Sequence, residues 1–208
     1  MVAMKVLMTG FEPFGGDAVN ESWDAVRALP PRPDVEVVTA RLPVTFAGAV
    51  DACQRLLALH APDVVIAVGL AAGTEAIRLE RVAVNVVDAR IADNDGAAPV
   101  DEPVVAGGPA AYFSTLPLKA GLEALRGAGI PAAVSNSAGT YVCNTVFYAL
   151  QHELAARAGV RSGFVHVPRA DVVDQDAASR ALGLVVDAAV GALRGRVAEP
   201  RTAAGTEH

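Results

Sequence analysis

The feature that most constrains the fold is a repeated alternation of two patterns. Five short runs, KVLMTG (5–10), VEVVTA (35–40), DVVIAVGL (63–70), AAVSNS (132–137) and GFVHVP (163–168), are apolar or β-branched and end in Gly, Pro or polar turns. Unbroken apolar runs of this length suit strands covered on both faces, and four of the five read as buried parallel strands. Between them, SWDAVRALP, FAGAVDACQRLLALH, LKAGLEALRGAG, NTVFYALQHELAARAG and DAASRALGLVVDAAVGALRG repeat apolar residues at i, i+3, i+4 and i+7, the mark of one-sided helices. Helices with one apolar stripe must be buried against strands with two apolar faces. The fold class expected is therefore α/β, a three-layer sandwich with a twisted, mostly parallel sheet and helices on both faces. The 208 residues, 52% of them hydrophobic, can fill one large core, so a single domain over 1–208 is expected.

Two stretches depart from the alternation. AIRLERVAVNVVDARIADNDG reads as extended segments joined by polar turns, and GAAPVDEPVVAGGPAAYF after it holds too many Gly and Pro for a regular element. An insertion of that length in a compact domain is commonly functional. The end of the chain, from about 196 to 208, lacks an apolar face and is expected to be loose.

Charge and composition exclude several classes of function. A net charge of −6, without clustered Lys and Arg, gives nothing with which to release phosphate counterions, so no nucleic-acid partner is expected. No apolar run approaches the roughly 20 residues needed to cross a bilayer. The opening MVAMKVLMTG is too short in its apolar run, and too soon followed by Gly and Pro, to serve as a signal peptide. Two cysteines, Cys53 and Cys143, cannot build a disulfide framework and fit a reducing cytoplasm.

One of those cysteines is oddly placed. In SNSAGTYVCNTVFYAL a run of small polar residues containing Gly139 leads into a helix whose first turns hold Cys143. Taken alone, a cysteine among apolar residues at helical spacing is a small core side chain. Three groups nonetheless converge on the C-terminal ends of strands, where open α/β sheets gather ligands: Glu80 in the insertion after the third strand, Cys143 beyond AAVSNSAGT, and His166 closing GFVHVP. A thiol attacks as thiolate, which a helix N-terminus and a neighbouring imidazolium both favour, and a carboxylate can fix that imidazole. Each residue also has an inert reading: His166 as a buried structural histidine, Glu80 as half of a surface ion pair with Arg81. Cys53 faces the core side of its helix, His60 ends the same helix as a C-terminal cap, His152 lies along a helix and His208 in the tail.

The motifs MTGFEPFGG (8–16), LERVAVN (79–85), DARIADN (88–94), SAGTYVCN (137–144) and GFVHVP (163–168) together resemble the pyrrolidone carboxyl peptidase, or pyroglutamyl peptidase I, family of cysteine peptidases. The likeness runs in order from residue 4 to about 190. It implies removal of an N-terminal pyroglutamyl residue from peptides on one α/β domain without metal or cofactor. It carries the nucleophile to Cys143, the histidine to His166, the acid to Glu80 and a candidate oxyanion donor to Arg90. Pyroglutamate is a flat, uncharged lactam, whose pocket needs apolar walls and a few placed polar groups. By similarity Phe11 and Phe14 flank the ring, backbone groups near Phe11 and Leu70 bond the lactam, Asn20 braces the loop, and Tyr141 and Val142 close the site. The family also implies a homo-oligomer, dimer or tetramer, with the apolar 101–118 segment as a candidate interface.

The chain departs from the family pattern in places. Leu70 stands where several bacterial relatives carry Gln, Glu21 replaces the proline of the usual NPSW, and Arg78 stands two positions before the acid where a small hydroxyl residue is typical. RADVVDQ after HVP lacks the expected prolines. These put pocket detail and substrate range in question rather than reaction class. Two other functions fit the same alternation, a non-catalytic small-molecule-binding domain and a nucleoside-phosphorylase-like enzyme, because a fold does not fix a function. The phosphate-binding pattern of the latter is not evident.

Overall fold

The computed structural model describes residues 3–205. Its elements in chain order are β1 (Met4–Phe11), α1 (Glu21–Arg27), β2 (Val35–Leu42), α2 (Phe46–His60), β3 (Val64–Leu70), β4 (Ile77–Glu80), β5 (Val82–Val84), β6 (Ala111–Phe113), α3 (Leu118–Gly127), β7 (Ala132–Ser135), α4 (Val142–Leu154), β8 (Arg161–Val167) and α5 (Gln175–Leu193). All five expected strands and all five expected helices are present.

Six strands form the central sheet in the order β2-β1-β3-β8-β4-β7. β2, β1, β3 and β8 are parallel, β4 is antiparallel to β8, and β7 is parallel to β4. The sheet is thus mixed at one side. The cause lies in chain length: only residues 71–76 separate β3 from β4, while a parallel return needs a crossover of a dozen residues or more. β4 therefore turns over the end of β8 and runs back down. Of the four parallel strands, β2 lies at the sheet edge with Glu36, Thr39 and Arg41 exposed, whereas β1, β3 and β8 are covered on both faces.

Alternate residues of the covered strands enter two cores. On one side Val6, Met8, Ile66, Val68, Leu79, Val165 and Val167 pack against α1, α3 and α5. On the other, Leu7, Val65, Ala67 and Phe164 meet α2 and α4, where Cys53, Phe147 and Tyr148 lie buried. Burial pushes the Cys53 thiol up to about 12, so it stays a neutral core side chain. At roughly 1.5–3 kcal/mol for each fully buried large aliphatic or aromatic side chain, these two layers dominate the driving force for folding.

The 71–113 stretch is more regular than its glycines and prolines suggest. Val82–Val84 pairs antiparallel with Ala111–Phe113 in a separate two-stranded sheet, so AAYF, read as irregular, ends in a strand. Of the terminal stretch, Glu199 accepts from the Lys119 N–H at 2.7 Å and Thr202 Oγ1 donates to Glu123 Oε1 at 2.6 Å, both on α3. His208 lies outside the described residues. Among the described residues no helix is long and apolar enough to cross a membrane.

Candidate active site

Cys143 is the second residue of α4, whose N-cap is Tyr141. Gly139, at φ 80°, turns the preceding loop through a conformation that side chains with a Cβ disfavour. The first-turn N–H groups of a helix have no partner within it, and Tyr141 supplies no side-chain cap. The thiol is half-buried and lies against β3: a Cβ built on Gly69 would fall 2.7 Å from Sγ. Asn144 fastens this turn to β5, its Oδ1 accepting from the Val84 N–H at 3.0 Å and its Nδ2 donating to the Val84 and Val86 carbonyls at 2.9 and 3.1 Å.

His166 stands near the end of β8, in register with Gly69 on β3 and opposite Arg78 on β4. Its Nδ1 is 2.8 Å from Glu80 Oε1, and Glu80 is wholly buried. Burial acts to lower the imidazolium pKa, but hydrogen bonds to Cys143 and Glu80, with the charges of both, outweigh it and raise the pKa to about 9. The ring is thus held between a thiol and a carboxylate and favours the protonated form at neutral pH. With Nδ1 committed to Glu80, Nε2 is left for the thiol side. Among the described residues no group of three His, Cys, Asp or Glu could hold a metal ion.

The strand-end argument needs correction for two of the three groups. Because β4 and β7 run against β8, their C-terminal ends do not lie at the edge where β1, β3 and β8 finish. Glu80 pairs with Phe164, two residues back from His166, and reaches the ring as the diagonal neighbour on the same face. That places the carboxylate behind the imidazole, away from solvent. Cys143 arrives through the 136–141 loop and the start of α4, not from a strand end. Arg81, the proposed surface partner of Glu80, instead donates to Asn136 Oδ1 at 2.9 Å.

A cavity of about 510 Å³ opens beside the thiol. Eight of the residues singled out from sequence line it: Phe11, Phe14, Asn20, Leu70, Arg90, Tyr141, Val142 and Cys143. Glu80 and His166 lie behind this wall. Phe14 and Phe46 pack on the Tyr141 ring at 5.6 and 5.2 Å, and the Tyr141 hydroxyl donates to the Ala92 carbonyl at 2.9 Å. Asn20 is fully engaged as a brace. Its Oδ1 caps α1 by accepting from the Ser22 N–H and hydroxyl at 3.1 and 2.7 Å, and its Nδ2 donates to the Glu12 carbonyl at 2.9 Å. The Phe11 N–H is also spent, on Ser22 Oγ at 3.0 Å, so any bond from Phe11 to a ligand must use its carbonyl.

Arg90 is exposed at the cavity rim on a loop held from beneath. Asp93 caps α2 in place of Thr45, its Oδ2 accepting from the Phe46 N–H at 2.9 Å while Oδ1 takes the N–H groups of Asp95 and Ala97. The Thr140 hydroxyl and the Asp88 carbonyl join the same loop to the one before Cys143. Glu12 Oε1 accepts from the Val44 N–H and from Asn94 Nδ2. Glu12, Asp93 and Asn144 were not singled out from sequence, nor were the lining residues Asp17, Val19, Val44, Ala72, Ile91 and Arg169.

A thiol at a helix N-terminus, an imidazole beside it, and a buried carboxylate on the ring's far nitrogen make this an α/β protein with a candidate thiol-hydrolase site. The family model described as pyroglutamyl peptidase matches residues 4–199, and the chain belongs to that family. A pyrrolidone-carboxylate peptidase of Clavibacter michiganensis subsp. michiganensis is 60% identical over 165 residues, 78% of each chain. The structure of pyrrolidone carboxyl peptidase from Thermococcus litoralis superposes with a TM-score of 0.90 at 36% identity, covering 96% of this chain and 99% of that one. For pyroglutamyl peptidase I of Bacillus amyloliquefaciens the values are 0.86 and 40%, over 90% and 97%. Neither the binding-domain nor the phosphorylase alternative is favoured by these matches.

Proposed function

We propose that this chain hydrolyses the amide bond that follows an N-terminal pyroglutamyl residue of peptides, with Cys143 as nucleophile. The observation that carries the reading is the buried Glu80–His166 contact at 2.8 Å behind a helix-terminal thiol that opens on an aromatic-walled cavity. Glu80 holds Nδ1–H, so Nε2 faces the thiol, and the raised pKa of His166 favours a thiolate–imidazolium pair. The thiolate attacks the pyroglutamyl carbonyl carbon and its oxygen takes up negative charge. Arg90, which lines the same cavity, and the first-turn N–H groups of α4 serve as the donors to that oxygen. As the C–N bond breaks, His166 passes its proton to the leaving amine, and a thioester remains on Cys143. His166, now neutral, takes a proton from water, whose oxygen attacks the thioester; 5-oxoproline leaves and the thiol is restored.

Phe11, Phe14, Tyr141 and Val142 form the apolar slot for the ring, and the backbone at Phe11 and Leu70 supplies polar partners for the lactam. With Leu at position 70, no side-chain amide reaches the cavity from that position. The free thiols favour a cytoplasmic setting. Assembly as a dimer or tetramer belongs to the same proposal, with Phe113, 69% exposed on β6 within the 101–118 region, as its candidate contact. Release of a chromophore from a pyroglutamyl amide tests the function: steady turnover is expected, and no turnover would overturn it.

A further inference from the structure

The loop between β1 and α1 carries Phe14 over the cavity, and its base is well tied. Glu12 and Pro13 bond to the body of the protein, and Asn20 ties back to the Glu12 carbonyl while capping α1. Its tip is not. It turns through Gly15 and Gly16 at φ 67° and 90° and closes on itself by the Asp17 N–H to Phe14 carbonyl bond. Among the described residues, one hydrogen bond joins residues 14–19 to anything else: Arg169 Nη2 donates to Asp17 Oδ2 at 2.8 Å. Both side chains line the cavity. Arg169 stands two residues past the end of β8, the strand of His166, and its carbonyl is fixed by the N–H groups of Val172 and Val173. Its Nη1 also lies 3.8 Å from Glu21 Oε1. Glu21 Oε2 is buried without a partner, so Arg169 is the cation that faces this half-buried carboxylate.

We propose that Arg169 is a positioning residue for the reaction: clamped between Asp17 and Glu21, it latches the 14–19 flap so that Phe14 covers the lactam. This rests on the reading of the cavity as the pyroglutamyl pocket. Glu21, one of the chain's departures from the family pattern, thus finds its opposite charge in Arg169. An ion pair this exposed is weak and screened by salt. The latch therefore shifts the open–closed balance of the flap rather than locking it. Its effect belongs in substrate binding, because the flap carries Phe14 to the ring slot and supplies none of the reacting groups.

Arg169→Gln, Asp17→Asn and the double variant test this in steady-state assays with a pyroglutamyl amide. Each single change should raise KM about two- to fivefold, with kcat within twofold and with the rate of Cys143 alkylation by a small neutral reagent unchanged. The double variant should match the singles rather than multiply them. In about 1 M KCl, where the screening length is ~3 Å, the wild type should approach the variants while the variants barely respond. Additive effects, an effect confined to kcat, or a salt response retained in Arg169→Gln would overturn the latch. Amide hydrogen exchange of residues 14–19 without substrate reads the flap whatever the substrate is: faster exchange in Arg169→Gln is expected, and unchanged exchange overturns it. If pyroglutamyl amides are not turned over at all, the functional reading fails while this exchange result still decides the latch.

Discussion

Gly69→Ala adds one methyl group at the point where β3 passes beneath the nucleophile. The new Cβ would lie 2.7 Å from Cys143 Sγ and 2.9 and 3.0 Å from two ring carbons of Phe164. Ordinary contact begins near 3.4 Å, so about 0.7 Å must be found. The Phe164 ring has little to give, being fully buried between Phe147 and His166 at centroid distances of 5.9 and 4.8 Å. The thiol has one torsion and is only partly buried, so it moves, and any rotation that relieves the methyl group carries sulfur away from its place beside the imidazole. A misplacement of about 1 Å at a reacting group costs on the order of 10²-fold in rate. The strand itself should survive, since position 69 is not in the left-handed region and overpacking of one methyl group costs about 1–3 kcal/mol. We expect kcat on a pyroglutamyl amide to fall roughly 10²-fold with KM nearly unchanged and the melting transition still cooperative. A folded variant with kcat within threefold of wild type would refute the placement of Sγ over Gly69 as the reactive geometry.

Other changes separate the remaining roles. Glu80→Gln removes a hydrogen-bonded negative charge that helps raise the His166 pKa to about 9; the imidazolium is then lost at lower pH. The alkaline limb of kcat/KM should move toward neutral pH, and a limb that stays or moves up would contradict the role. The same raised pKa means that stability contributed by the His166 pair is complete below its ordinary value near 6.5 and fades as pH rises through about 9. Arg90→Ala should lower kcat by about 10²- to 10³-fold with little change in KM, whereas a pure KM effect would make Arg90 a substrate-binding residue. Prolyl amides keep the ring but lose the lactam carbonyl and bring a charged nitrogen, so their kcat/KM should be below about one thousandth of the pyroglutamyl value. Comparable rates would mean that the slot reads shape alone.

What the sequence reveals and conceals follows from range. β1, β3 and β8 were legible because strands buried on both faces must be apolar throughout, and the helices because each shows a single stripe. The direction of β4 was not, because pairing sense depends on how six connecting residues turn over β8, which no periodicity records. Cys143 and His166 stood out as chemistry-bearing residues next to predicted element ends. The sequence puts Glu80 at the sheet edge, whereas it lies behind His166, for the same reason that the direction of β4 is hidden. The braces Glu12, Asp93 and Asn144 are ordinary polar residues that each tie to a residue 32, 47 or 60 positions away. Asp17 and Arg169 are 152 apart. Such pairs leave no local signal.

The central claim is that the pyroglutamyl group passes through Cys143. Rapid acid quenching during turnover of an activated pyroglutamyl ester, followed by digestion and mass spectrometry, reads this directly. The account predicts one pyroglutamyl thioester on the peptide that contains Cys143, none on the peptide that contains Cys53, and none in Cys143→Ala. A turning-over enzyme with the acyl group on any other residue, or an unmodified Cys143 under conditions where deacylation is rate-limiting, would contradict it.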